Sequence, residues 1–126
     1  MKKRIVVVDD DKAILDLIQN YLSGCNDYEV ELTEKSTDVQ NLIDKAKTDL
    51  LITDMRMPDL GGAALINEVR KKHPSLKVLS MTAGGVISKE IYLNFAEASG
   101  SDYRLEKPFS KENLISSIQH LISTTD

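Results

Sequence analysis

Five short apolar segments alternate with amphipathic stretches along the 126 residues of the chain, and this alternation restricts the fold more than any other feature. The apolar segments are short, bounded by polar and turn residues, and often β-branched, which favours buried strands over helices. The intervening stretches repeat apolar residues at helical spacing. Alternating strands and helices predict a single α/β domain over residues 1–126, with a parallel sheet and right-handed crossovers.

The same pattern predicts where each element begins and ends. Strands are expected at residues 4–8, 28–33, 77–82 and 103–106, with one more strand ending at Asp54. Helices are expected from residue 12 to the stop signal Gly24, at 37–47, from Gly62 to the stop at His73-Pro74, at 88–98 and at 111–122.

Composition and charge exclude several classes of protein. A net charge of -4 argues against nonspecific binding to nucleic acid or to an anionic membrane. The single cysteine, Cys25, excludes an internal disulfide and favours a reducing compartment, so we expect a cytoplasmic protein. The apolar run behind the basic start is too short for a signal peptide, and no segment is long enough to cross a membrane.

Four of the predicted strands end in polar residues that could form one site. Asp9-Asp10, Asp54, Thr82 and Lys107 stand at or just beyond the carboxyl ends of their strands. In open parallel sheets this edge is where ligands bind. Clustered carboxylates repel each other, and a hard cation such as Mg²⁺ relieves the repulsion. With Lys107 and Thr82 nearby, Asp54 could accept a phosphoryl group as a nucleophile.

The ordered set VVVDDD, ITDMRMP, SMTA and LEKPF resembles the response-regulator receiver domain of two-component signalling over nearly the whole chain. This resemblance implies a flavodoxin-like (βα)5 fold, a doubly wound five-stranded parallel sheet. It implies that Asp54 is the phosphoacceptor and that Thr82 and Lys107 hold the phosphoryl oxygens. It further implies that Asp10, Asp54 and the main-chain carbonyl of Arg56 ligate Mg²⁺ directly, that Asp9 acts mainly through a coordinated water, and that Pro108 follows a cis peptide bond.

Three details depart from the family pattern or leave the assignment open. The triple Asp allows either Asp9 and Asp10 or Asp10 and Asp11 as the acidic pair; we favour the first, because Asp11 stands where a helix N-cap is expected. Gly61 precedes the turn glycine Gly62 where the family usually has Asp. Arg104 occupies the switch position, which is usually Tyr or Phe, so the family's coupling between threonine and aromatic ring is not expected here.

The leading hypothesis is a phosphorylation-controlled switch that receives its phosphoryl group from a sensor histidine kinase or a histidine phosphotransfer protein. The resemblance implies output to a downstream protein through the surface of the fourth helix, fifth strand and fifth helix. Because the chain ends soon after the fifth helix, we expect a stand-alone regulator or phosphorelay intermediate, or a receiver cut from a longer protein. No turnover of an external substrate is expected. The alternatives are a Mg²⁺-dependent phosphohydrolase of the haloacid-dehalogenase type, with Asp9 and Asp11 as its Asp-x-Asp, and a binding module that works without phosphorylation.

Overall fold

The computed structural model describes residues 2–55, 61–83 and 101–122. The strands are β1 (Lys3–Val8), β2 (Tyr28–Thr33), β3 (Leu50–Asp54), β4 (Lys77–Ala83) and β5 (Tyr103–Lys107). The helices are α1 (Lys12–Leu22), α2 (Val39–Lys45), α3 (Gly62–Lys72) and α4 (Lys111–Leu121), and a 3₁₀ turn, Ser36–Asp38, precedes α2. The helix α4 is the fifth helix of the sequence prediction; the predicted fourth helix, 88–98, lies outside the described residues.

All five strands are parallel and lie in the order β2-β1-β3-β4-β5. The predicted doubly wound α/β fold is therefore confirmed. This order places β1 and β3 side by side, with Val8 paired to Thr53, and β4 next to β3, with Met81 paired to Asp54. The residues that follow β1 and end β3 are consequently neighbours.

A hydrophobic core lies on each face of the sheet, because alternate residues of a strand point to opposite faces. On one face, Ile5, Ile52 and Leu79 pack with Ile18 of α1 and Ile118 of α4. On the other face, Val6, Leu51 and Val78 pack with Ile43 of α2 and Ile66 of α3. The central strands β1 and β3 are buried on both faces, which explains their continuous apolar sequence.

The second helix is shorter than the sequence predicts. The 3₁₀ turn occupies its first residues, and the α-helix ends at Lys45 because Ala46 adopts an extended backbone with φ of -158°. The other helices begin where they were predicted: the Asp11 side chain caps α1 and the Ser110 side chain caps α4. The predicted helix ends are also close to the observed ones: α1 ends at Leu22, two residues before Gly24, and α3 ends at Lys72, directly before His73-Pro74.

Candidate functional site at the carboxyl edge of the sheet

The fold brings the polar strand ends of the sequence prediction to one edge. Asp54 and Lys107 are the last residues of β3 and β5, and Thr82 is the second-last residue of β4. Asp9 follows β1 directly and is fully buried, while Asp54 is only 6% exposed. Burying two carboxylates costs free energy unless they are paired or bind a cation, so their pairing determines what this edge can do.

Lys107 pairs with two of these carboxylates. Its Nζ donates to Asp9 Oδ2 at 2.6 Å and lies 3.6 Å from Asp54 Oδ1. The lysine side chain is 13% exposed, so solvent screens these contacts weakly. The Lys107–Pro108 peptide bond is cis, as the family resemblance implied. Lys107 therefore stands as a nearly buried cation between the ends of β1 and β3.

Among the described residues, one lysine faces three carboxylates at this edge. Asp9, Asp10 and Asp54 each present a carboxylate oxygen, and these oxygens all lie within 4.8 Å of one another. Two unit charges about 4 Å apart repel by about 4 kcal/mol at an effective dielectric of about 20. Burial raises the pKa of Asp9 above its ordinary value, as does the neighbouring Asp10 charge; the hydrogen bonds from Lys107 and the Asp11 amide oppose that rise. The donor set and its surplus of negative charge fit a hard divalent cation such as Mg²⁺.

The third aspartate of the run has a different position. The Ala13 amide donates to Asp11 Oδ1 at 3.0 Å, so Asp11 caps α1 as predicted. The Asp11 amide donates to Asp9 Oδ1 at 2.9 Å and holds that carboxylate in place. Of the two acidic pairs that the sequence allowed, Asp9 and Asp10 are the pair that clusters with Asp54.

Thr82 contributes a hydroxyl that lacks a partner in the described part of the chain. Thr82 is 2% exposed, and its Oγ1 is buried without a hydrogen bond there. Leaving a buried hydroxyl unpaired costs about 1–3 kcal/mol. An oxyanion bound at this edge could accept that hydrogen bond. The unpaired hydroxyl thus fits an anionic ligand beside the carboxylates.

Gly62, the turn glycine at the predicted start of the third helix, lies close to the site. A Cβ atom on Gly62 would lie 2.5 Å from the Asp54 carbonyl oxygen and 2.8 Å from the Met55 Cα. The absence of a side chain lets the first turn of α3 pack against the end of β3. The turn glycine was visible in the sequence, but its backbone neighbour was not.

The two remaining site predictions have different outcomes. Arg56 lies outside the described residues, so its predicted carbonyl ligand stays a prediction. Arg104 is exposed on β5, opposite Ser80 of β4. Its neighbour Tyr103 stacks against His120 of α4 with ring centroids 4.7 Å apart, and it is 41% exposed. Since successive residues of a strand face opposite sides, Tyr103 lies on the face opposite Arg104.

Together, the fold and this edge define a parallel α/β domain with an acidic site at the carboxyl ends of β1 and β3. A family model for the response regulator receiver domain matches residues 5–119. The chain belongs to the response regulator receiver domain family, which confirms the resemblance found in the sequence.

Similar proteins support this assignment. Response regulator MprA of Mycobacterium bovis BCG is 33% identical over 125 residues, which are 99% of this chain and 53% of MprA. The chain thus spans about half the length of the curated relatives it matches. The receiver domain protein of Methanospirillum hungatei has 31% identity and a TM-score of 0.83, covering 95% of this chain and 93% of its own. The chemotaxis protein CheY4 of Vibrio cholerae, with 23% identity, a TM-score of 0.85 and coverage of 97% and 100%, supports the fold.

No helix in the described ranges is long and apolar enough to cross a membrane.

Proposed function

We propose that Asp54 accepts a phosphoryl group and that the domain thereby acts as a phosphorylation-controlled switch. The observation that carries this proposal is the pairing of a nearly buried Asp54 with Lys107 inside a cluster of further carboxylates. An aspartate in these surroundings has a nucleophilic oxygen next to a cation that can neutralise the incoming phosphoryl oxygens.

Each neighbour has a distinct role in this proposal. A carboxylate oxygen of Asp54 attacks phosphorus, and the bond between phosphorus and the donor atom breaks, its electron pair leaving with the donor. Lys107 and the Thr82 hydroxyl then donate hydrogen bonds to phosphoryl oxygens, which would give Thr82 Oγ1 a partner. Lys107 would shift its pairing from Asp9 toward the phosphoryl group, and it is already 3.6 Å from Asp54.

The acidic cluster would hold Mg²⁺. Asp10 and Asp54 would ligate the ion directly, together with the Arg56 main-chain carbonyl, and Asp9 would act mainly through a coordinated water. When bound, the ion neutralises negative charge on the carboxylates and on the phosphoryl oxygens. The hydrogen bonds to both Asp9 oxygens, from Lys107 and from the Asp11 amide, support the indirect role of Asp9.

Membership of the receiver family supports a histidine kinase or a histidine phosphotransfer protein as the donor, and a cytoplasmic location. The family is a signalling family rather than one of substrate-turnover enzymes. The output would be a change in binding to a downstream protein at the surface that contains β5 and α4. Phosphorylation adds about -1.5 to -2 charges by analogy with hydroxyl phosphorylation, and this charge biases an equilibrium between two conformations.

The haloacid-dehalogenase alternative finds little support at this edge. That alternative needs Asp11 as the second acid of the Asp-x-Asp motif. Asp11 instead caps α1 through its side chain. The third hypothesis, binding without phosphorylation, rests on Arg104 and is addressed by the same experiment as the main proposal.

The test is to incubate the protein with Mg²⁺ and acetyl phosphate or phosphoramidate and to record its intact mass. We expect a gain of one phosphoryl group that depends on Mg²⁺ and is absent from Asp54→Asn. The matched control is Asp16→Asn, because Asp16 is an exposed aspartate on α1. Equal phosphorylation of the two variants would exclude Asp54 as the acceptor. If the folded wild-type protein gains no phosphoryl group from either donor, the switch proposal fails and phosphorylation-independent binding takes its place.

A further inference from the structure

A cleft lies at the amino-terminal edge of the sheet, opposite the acidic site. Its volume is about 600 Å³. The walls are the first residues of β1 and β4, the segment that leads into β3, and the carboxyl-terminal ends of α2, α3 and α4. The cleft shares no residue with the carboxylate cluster, so the proposed phosphorylation does not use it.

The charged side chains that line this cleft are mostly basic. The described lining residues include four lysines and one histidine but only two carboxylates, Asp44 and Asp49. Both carboxylates already accept hydrogen bonds. Asp49 Oδ2 accepts from the Arg4 amide at 2.9 Å, and Asp44 Oδ1 accepts from Gln40 at 3.0 Å and contacts His73 Nε2 at 2.9 Å. Lys72 Nζ also lies 3.6 Å from Asp44 Oδ2. Four lysines against two aspartates leave two excess positive charges in the described lining, although the whole chain carries a net charge of -4.

Helix dipoles do not explain most of these lysines. Cations are favoured in the last turn of a helix, and Lys72 stands there in α3. Lys3 and Lys77, however, are the first residues of β1 and β4, and Lys47 lies between α2 and β3. Lys3 and Lys77 share the sheet face of Ile5 and Leu79, with β3 between their strands. Because β1 and β4 are two strand spacings apart, the distance between these two strands is about 10 Å.

The cleft also has an apolar surface. Buried side chains from the ends of α2 and α4 and from the residue before β4 line it together with an exposed proline; they are Ile43, Ile122, Leu76 and Pro74. Inorganic anions gain nothing from apolar contacts, whereas an anion with an organic body does. Basic side chains around an apolar surface are the combination that fits such a ligand.

We propose that this cleft is a binding site for a small organic phosphate with two phosphate groups, a nucleoside diphosphate being the simplest example. The phosphates would lie between Lys3 and Lys77, and the base or another flat apolar body would pack against Pro74 and Leu76. The site is separate from Asp54, and it does not depend on whether Asp54 is phosphorylated.

The experiment is an NMR titration of the ¹⁵N-labelled protein with adenosine diphosphate and, separately, with inorganic pyrophosphate. EDTA is present in both titrations so that the acidic cluster cannot recruit the probes through a metal ion. We expect saturable shifts at the amides of Lys3, His73 and Lys77, and tighter binding of adenosine diphosphate than of pyrophosphate. Linear shifts without saturation, or shifts spread over lysines throughout the chain, would overturn the site. Equal affinities for the two probes would overturn the organic part of the proposal.

Two double variants separate this site from general attraction to lysines. The combined change Lys3→Gln and Lys77→Gln should weaken adenosine diphosphate binding by about tenfold or more, because glutamine removes the positive charge that would pair with the phosphates. The matched control is Lys12→Gln with Lys111→Gln, which removes two exposed lysines that begin α1 and α4. Equal weakening in both double variants would refute the proposal. Thermal unfolding of both variants verifies that each is folded.

Discussion

The two edges of the sheet each bury charge, and they balance it differently. At the amino-terminal edge, Arg4 is 5% exposed, and its Nη1 donates to the carbonyl oxygens of Leu42 at 2.8 Å and Ala46 at 3.3 Å and to Thr48 Oγ1 at 2.6 Å. These carbonyls belong to the last turn and the C-cap of α2, where helical carbonyls lack partners. Arg4 thus closes α2 through Nη1, while its Nη2 is buried without a partner in the described residues.

At the carboxyl edge the balance is incomplete. Within the described residues, the Lys107 ammonium faces the carboxylates of Asp9, Asp10 and Asp54, and Thr82 Oγ1 has no partner. The two edges therefore differ in the sign and the balance of their buried charge. A cation that donates to helical carbonyls stabilises the fold, whereas a surplus of like charges beside an unpaired hydroxyl favours an ion or ligand from outside the chain.

The largest effect should come from replacing Arg4, because this residue stabilises the end of α2 at the amino-terminal edge of the sheet. Arg4→Met keeps the aliphatic volume but removes the hydrogen bonds to the Leu42 and Ala46 carbonyls, of which Ala46 keeps its bond from Thr48 Oγ1. We expect the free energy of unfolding to fall by about 3 kcal/mol. Urea denaturation measures this loss. The control Lys12→Met removes an exposed lysine and should change stability by less than about 0.5 kcal/mol. If both variants are equally stable, Arg4 does not close α2.

Gly62→Ala should disturb the backbone packing at the carboxyl edge of the sheet. The new Cβ would lie 2.5 Å from the Asp54 carbonyl oxygen, so the start of α3 must move. We expect a loss of about 2 kcal/mol in the free energy of unfolding, as for overpacked interiors. Chemical denaturation and the rate of phosphoryl uptake at Asp54 are the two measurements. Gly61→Ala is the matched control, because a Cβ there meets no atom of the described residues within 4 Å; similar losses in both variants would contradict the close approach.

A smaller effect should come from Mg²⁺, for which the acidic edge is the proposed site. At a free Mg²⁺ concentration about tenfold above its Kd, the wild-type free energy of unfolding should rise by about 1.4 kcal/mol. Asp10→Asn should lose most of this gain. Asp11→Asn should keep it, because Asn is also a good N-cap and Asp11 lies outside the carboxylate cluster. Thermal unfolding with and without Mg²⁺ makes the comparison, and the opposite order of the two variants would favour Asp10 and Asp11 as the acidic pair.

The smallest effect on stability should come from Asp44, at the amino-terminal edge of the sheet. Hydrogen bonds from His73 and Gln40, with the nearby Lys72 charge, lower the pKa of Asp44 below its ordinary value. A carboxyl group whose pKa is lower in the folded state stabilises the fold above its unfolded pKa, near 3.8, and this contribution is lost as the pH falls through the folded pKa. Wild type should therefore be slightly more stable than Asp44→Asn at neutral pH, and the difference should shrink below about pH 4. A difference that does not depend on pH would contradict this origin.

Local sequence patterns predicted much of the fold and of the proposed site. Hydrophobic periodicity located the elements that the structure describes, and the Asp11 cap followed from its place before an amphipathic stretch. The prediction was less accurate for α2, because nothing in its sequence signals the extended backbone of Ala46 or the arginine that binds its last turn. His73 was predicted only as part of the stop of the third helix, and its contact with Asp44 was not anticipated.

The sequence by itself therefore determined the alternation of strands and helices and the polar residue types at the strand ends, because both depend on spacing over a few residues. Only the tertiary structure decided which of these groups meet. The order β2-β1-β3-β4-β5 makes Asp9 and Asp54 neighbours, and it lets Lys107 reach Asp9 across a sequence separation of 98 residues. The same holds for Arg4 and the end of α2, 38 residues apart at the nearest described contact. Such contacts form only when the strands take their order in the sheet, and no pattern over a few residues determines that order.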